Sequence, residues 1–319
     1  MKVFIKVVSP VIIIFLAVAG PAAGETQPES FKGTITLSGA WALYPMVVRW
    51  AEEFRKLHPD VTIDVAAGGA GKGMVDCLSR TVDIGMVSRE IYPAEIEKGA
   101  WWVSVTKDAV VPTVNAANPV IKKILSRGVG KDTFDGIWIT GKIKSWGEVV
   151  NDPLPAAIHV YTRSDACGAA ETWARYLGKN QEDLRDVGVF GDPGLAEAVR
   201  KDVLGIGFNN IGYAYDAATG QQIEGLRVVP IDLSGNGSLD PEEDFYGTRD
   251  ELTGAIADGK YPSPPARNLH FVSQGRPDRP VVREFIRWVL TAGQKYVPES
   301  GYINLGKEKL QEELGKLER

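Results

Sequence analysis

The sequence predicts an α/β protein made of two lobes. Three observations carry this reading. Residues 33–89 run strand, helix, strand, glycine loop, helix, strand, the rhythm of a parallel sheet with helices on its faces. A second strand–turn–helix unit follows at 158–177. The chain has 319 residues, more than one small core needs. Composition agrees: 44% hydrophobic and 24% charged is ordinary for a globular protein and excludes collagen, a coiled coil or a disordered chain. Lys and Arg number 36 against 41 Asp and Glu, and a net charge of −5 lacks the basic excess of a nucleic-acid binder. The two cysteines have neither zinc spacing nor the density of a disulfide scaffold.

Residues 1–24 read as a signal peptide: Lys2 and Lys6 start it, Val7 to Ala19 is mostly apolar, and Pro21-Ala22-Ala23-Gly24 offers small residues for cleavage. The apolar run is short for a spanning helix, which needs about 20 residues. The expected location is therefore periplasmic or secreted. Gly33 to Ser38 is a predicted strand. Tyr44, Val47, Val48, Ala51 and Phe54 then recur at helical spacing, with Arg49, Glu52, Glu53 and Arg55 between them. Val61 to Val65 and Val82 to Val87 are the next strands, and a helix is expected to start inside Gly68 to Gly73. Ala109 to Val114 is an apolar strand placed to cross into the second lobe. There Ile158 to Tyr161 is a strand, Arg163 to Gly168 a polar turn and Ala169 to Leu177 a helix. Asp192-Pro193 has the form of an N-cap and first turn. Gly205 to Phe208 is a short strand, Val228 to Ile231 the expected return to the first lobe, and Arg283 to Leu290 a late amphipathic helix. The expected division is lobe 1 at 25–115 and 228–319, with lobe 2 at 116–227.

Two signals carry chemistry. The turns Gly68–Gly73 and Arg163–Gly168 each put backbone N–H groups and a helix N-terminus after a strand, which makes an anion site. Arg163 adds a fork of donors suited to an oxyanion or carboxylate, and Lys72 adds a further charge. Nucleotide readings fail on detail. A Walker loop needs Gly at 66 and Ser or Thr at 73, where the chain has Ala66 and Gly73; a dinucleotide pattern from Gly69 needs Gly at 74, which is Met74. The second signal is Asp232 to Glu243, which fits a 12-residue EF-hand-type calcium loop. Asp232, Ser234 and Asn236 take positions 1, 3 and 5, Gly237 the sharp turn, Ser238 the carbonyl position, Asp240 position 9 and Glu243 the bidentate position 12. Val228 to Ile231 upstream reads as a strand, so the expected role is a structural clamp rather than a helix–loop–helix sensor.

These residues resemble the substrate-binding proteins of phosphate ABC importers, a branch of the type 2 periplasmic binding proteins. The resemblance rests on Leu37-Ser38-Gly39-Ala40-Trp41-Ala42-Leu43-Tyr44-Pro45 with Trp50-Ala51, on Ala67-Gly68-Gly69-Ala70-Gly71, on Asp83-Ile84-Gly85-Met86-Val87-Ser88-Arg89, and on Arg163-Ser164-Asp165-Ala166-Cys167-Gly168-Ala169. It covers most of residues 33–306. It implies two α/β lobes joined by a two-strand hinge, closing on phosphate or a related small oxyanion, with a transporter permease as partner, no nucleic acid, and a monomeric state. The site residues it implies are Trp41, Ala42, Leu43, Gly69, Ala70, Gly71, Lys72, Ser88, Arg163, Cys167, Gly168 and Ala169. The chain departs from the pattern where the family has hydroxyl ligands: it has Ala40, Trp41, Ala42, Ala70, Cys167 and Ala169, which leaves Ser88 and Arg163 as the clear side-chain contacts.

Two other functions compete. One keeps the fold for calcium-stabilised sensing or adhesion. The other is an enzyme with Cys167 as nucleophile, at a helix start beside Arg163, where a thiol pKa can fall. The enzyme lacks a companion base, because His58, His159 and His270 are solitary and no Gly-x-Ser-x-Gly is present. The expectation is a binding protein, not an enzyme.

Overall fold

In a computed structural model, which describes residues 31–318, the chain builds two hydrophobic cores on one nine-stranded sheet. The strands are β1 (Gly33–Gly39), β2 (Val61–Ala67), β3 (Ile84–Val87), β4 (Ala100–Asn115), β5 (His159–Arg163), β6 (Val187–Val189), β7 (Gly205–Asn210), β8 (Leu226–Val228) and β9 (Ala266–Gln274). Their order is β2-β1-β3-β9-β4-β7-β5-β6, with β8 paired to β4 off this path. The parallel trio β2-β1-β3 is in register from Gly33↔Val61 to Gly39↔Ala67. This is the type 2 periplasmic-binding-protein fold, mixed α/β as the rhythm of residues 33–89 predicted.

The helix Tyr44–Leu57 opens with Pro45, whose missing N–H costs nothing in a first turn. It buries Met46, Val47, Trp50 and Phe54 in the first core, where the Trp50 indole donates to the Gly293 carbonyl (2.8 Å). The helix Ala70–Leu78 begins inside the glycine loop as expected. Gly73 owes its identity to packing: a Cβ there would lie 2.6 Å from the Met86 carbonyl oxygen and 2.8 Å from the Gly39 Cα. The second core is aromatic. Trp138, Trp146 and Trp173 are fully buried, and Trp173 stacks on Phe208. Trp138 and Trp146 come from the short helices Lys131–Trp138 and Trp146–Val150, which the sequence reading did not assign.

The boundary between the lobes differs from expectation. The first core holds buried residues from Ile35 to Val105 and from Leu269 to Leu317; the second runs from Ala109 to Ala266 and adds Ile303. Val228, Val229, Ile231, Phe245, Tyr246, Leu252 and Tyr261, expected in lobe 1, all pack in the second core. The reason is that β8 pairs antiparallel with the far end of β4, at Thr113–Asn115, and so cannot carry the chain back. The return strand is β9. It pairs with β4 through Asp108↔Arg267 and Ala109↔Ala266, so the hinge is a ribbon of two hydrogen-bonded strands. The expected signal peptide, 1–24, lies outside the described residues. Among those residues no helix is long and apolar enough to cross a membrane.

Candidate functional site

The two predicted turns meet. β5 ends at Arg163, the chain turns through Ser164–Cys167, and the helix Gly168–Tyr176 starts with Cys167 as its N-cap. Opposite it, β3 ends at Val87, and Ser88 follows, buried. A Cβ added to Gly168 would fall 2.2 Å from both the carbonyl and the hydroxyl oxygen of Ser88. Only a glycine lets the second lobe's helix start come this close. The Gly71 amide donates to the Ala166 carbonyl (3.2 Å), a direct bond between the lobes.

The amides are less free than the sequence implied. Gly68 and Gly69 both donate to the Gly39 carbonyl, Gly73 to the Gly69 carbonyl and Cys167 to Gln181 Oε1. Gly168 and Ala169 open the helix, and a helix's first amides have no acceptor within it. Lys72 does not face the site; it is exposed and paired with Asp76 one turn on. Ala42, Leu43, Ala70 and Ala169 are buried within the two cores and present no polar side chain.

Arg163 is the centre of the polar floor. Its side chain is 0% exposed. Nε and Nη2 donate to the two carboxylate oxygens of Asp165 (2.8 and 2.6 Å), and Nη1 donates to Asp192 Oδ2 (2.6 Å). Burial works against the guanidinium charge, but Asp192 and Asp165 outweigh it and hold Arg163 above its ordinary pKa. Asp192 Oδ1 accepts from Asn210 Nδ2 (2.6 Å), Asn210 Oδ1 accepts from Arg267, and Arg267 also donates to Thr172 and lies 3.5 Å from Asp108. Burial pushes the Asp108 carboxyl up to about 6, against the pull of Arg267. Sequence reasoning missed Asp192, Asn210, Arg267 and Asp108. Asp192 had been assigned to an N-cap, whereas Phe190 caps the helix Gly191–Lys201 and Asp192 points inward.

Trp41 closes the other side. Its ring meets Phe190 edge to face at 6.3 Å and lies against Gly191, and its carbonyl accepts from the Tyr213 hydroxyl (3.4 Å). The Trp41 indole Nε1 is buried with no hydrogen-bond partner. A cavity of about 1340 Å³ between the lobes reaches the floor at Arg267 and Thr172 and is also lined by Arg89, Lys107 and Arg175.

Cys167 lacks the environment of a nucleophile. Its Sγ accepts from the Ala170 amide (3.4 Å), and burial pushes the thiol up to about 12, more than the nearby Arg163 draws it down. A thiolate is the reactive form, so the pairing with Arg163 that prompted the enzymatic alternative does not activate it. His159 is exposed and bonded to Asp202, and His270 is buried beside Ser104, so neither serves Cys167.

The family model described as PBP superfamily domain matches residues 22–292. The chain belongs to the PBP superfamily. Among relatives of this PBP superfamily member, the phosphate-binding protein PstS of Methanocaldococcus jannaschii is 26% identical over 351 aligned positions, covering 93% of this chain and 89% of that one. The phosphate-binding protein PstS of Pseudomonas aeruginosa PAO1 is 24% identical, covering 91% and 89%. In three dimensions the chain resembles a substrate-binding protein from Clostridium perfringens solved with bound phosphate (TM-score 0.70, 20% identity, 86% of this chain and 100% of that one). It also resembles an ABC-type phosphate transport receptor from Vibrio cholerae (TM-score 0.62, 20% identity, 85% and 100%).

Proposed function

We propose that this PBP superfamily protein is the extracytoplasmic solute-binding component of an ABC importer and takes phosphate or a related small oxyanion between its lobes. One observation carries the reading: the Gly168 helix start of the second lobe rests on Ser88 of the first, above a fully buried Arg163. An oxyanion at that junction takes amide hydrogens from Gly168 and Ala169, a hydroxyl from Ser88 and the guanidinium of Arg163. Its contacts then come from both lobes, which is what makes a hinged protein close on a ligand. The names of the curated relatives, phosphate-binding proteins, support phosphate as the first ligand to test.

Arg163 is matched by two carboxylates, so selection rests on hydrogen-bond geometry rather than on net positive charge. Trp41 favours a second reading, a small organic anion such as a phosphonate or carboxylate, because its buried indole N–H still has a hydrogen to give. Calorimetry of phosphate-stripped protein against phosphate, sulfate, tungstate, phosphonates and small carboxylates separates the two. The expected result is saturable phosphate binding that Arg163→Ala weakens at least a hundredfold. Absence of binding by every anion, or unchanged affinity in Arg163→Ala, rejects the site.

A further inference from the structure

The loop Asp232–Glu243 plays no part in the anion site. It joins β8 to the helix Arg249–Ala257 on the second lobe, and both its ends are fixed. The Asp232 amide donates to the Val129 carbonyl (3.2 Å), the Leu239 amide donates to the Ser126 carbonyl (3.2 Å), and Ile231, Phe245 and Tyr246 on either side are buried in the core. Gly235 and Gly237 take φ of +72° and +76°, conformations that L side chains rarely adopt, and so fold the loop back on itself.

The oxygens converge. The Ser234 hydroxyl lies 3.3 Å from Asp232 Oδ1 and 3.5 Å from Asp240 Oδ2. Asp232 turns both carboxylate oxygens inward, to the amides of Gly235 (2.7 Å) and Gly237 (2.8 Å). Glu243, nine residues on, reaches back so that its Oε1 accepts from the Ser234 amide (2.7 Å). Its other oxygen, Oε2, is buried and has no hydrogen-bond partner, on a residue only 7% exposed. An unmatched buried carboxylate oxygen is costly to leave bare, and here its twin is already bonded into the loop. Arg127, beside Gly237, donates its Nη1 to the Val150 carbonyl rather than to Glu243.

We propose that this loop binds one calcium ion, with Glu243 as the ligand that closes the site. Among the described residues no group of three or more His, Cys, Asp or Glu side chains forms a metal cluster. The loop offers a different donor set: carboxylates from Asp232 and Glu243, the Ser234 hydroxyl, the Asn236 amide oxygen, the Ser238 carbonyl, and Asp240 directly or through water. All are hard oxygens, in the number and mixture that suit Ca²⁺ and exceed the six rigid positions of Mg²⁺. The ion ties together two chain segments anchored in the core, so binding adds to the stability of the second lobe.

The test is calcium calorimetry and thermal unfolding of the intact protein in chelator-stripped, phosphate-free buffer, so that the result is independent of anion binding. One Ca²⁺ per chain is expected, with Tm rising about 5 °C when Ca²⁺ exceeds its Kd a hundredfold. Equimolar Mg²⁺ should leave the calcium affinity unchanged. Glu243→Gln should weaken binding at least tenfold and remove the Tm rise. Asn236→Ala, at an exposed position, is the second variant, with a smaller loss, should Glu243→Gln fail to fold. No heat and no Tm rise up to millimolar Ca²⁺, or wild-type affinity in both variants, overturns the proposal.

Discussion

The two turns that face each other across the cleft look alike in sequence and differ in what they supply. Each follows a strand and opens a helix. The turn at 68–73 has four glycines and a lysine, yet the lysine points to solvent and most of its amides are bonded within the lobe or to Ala166. The turn at 163–169 has a single glycine, but its arginine is sealed beneath it with three donors committed to two carboxylates. The first turn supplies closeness of backbone, the second a fixed charge. A cation beside a glycine loop is therefore a weak guide to a ligand. What distinguishes Arg163 from Lys72 is burial, and burial is what obliges partners to be present.

Asp192→Ala strikes the buried half of this contrast hardest. It strips Arg163 of one carboxylate in a site closed to water, and losses of about 3–5 kcal/mol are typical of broken buried pairs. Urea unfolding should show it; a change below about 1 kcal/mol would mean that Asp165 alone suffices. Gly168→Ala tests closeness. Its methyl group overlaps Ser88, so the turns must separate, and phosphate affinity should fall at least tenfold while stability changes little. Small-angle scattering with saturating phosphate should then report a wider particle than wild type; an identical profile removes the steric argument. Lys72→Ala should do least. Its half-exposed pair with Asp76 is of a kind worth about 0–1 kcal/mol, and anion affinity should stay within twofold of wild type.

Much of the first lobe was legible in the sequence because its helix and strands carry clean periods, as in Tyr44 to Phe54, and because Gly68–Gly73 marks where a helix begins. Arg163 and the Gly168 turn were legible for the same reason. The floor was not. Asp192 lies 29 residues beyond Arg163, Arg267 a further 75, and no local pattern links them. The one available sign was Asn209-Asn210, two amides closing an otherwise apolar strand, where polar side chains need partners. β9 was missed because Arg267, Asn268 and His270 break its apolar alternation; they face the hinge and the cavity rather than a core.

The ribbon of β4 and β9 has a further consequence. The chain leaves for its second half at Ala109 and comes back at Ala266, and these two residues are partners on one rung of the ladder. A segment whose ends sit side by side can be exchanged as a cassette without moving what receives it. A descendant of this scaffold could thus acquire a new second half from elsewhere, keep its first half unaltered, and present a different guest to the same transporter.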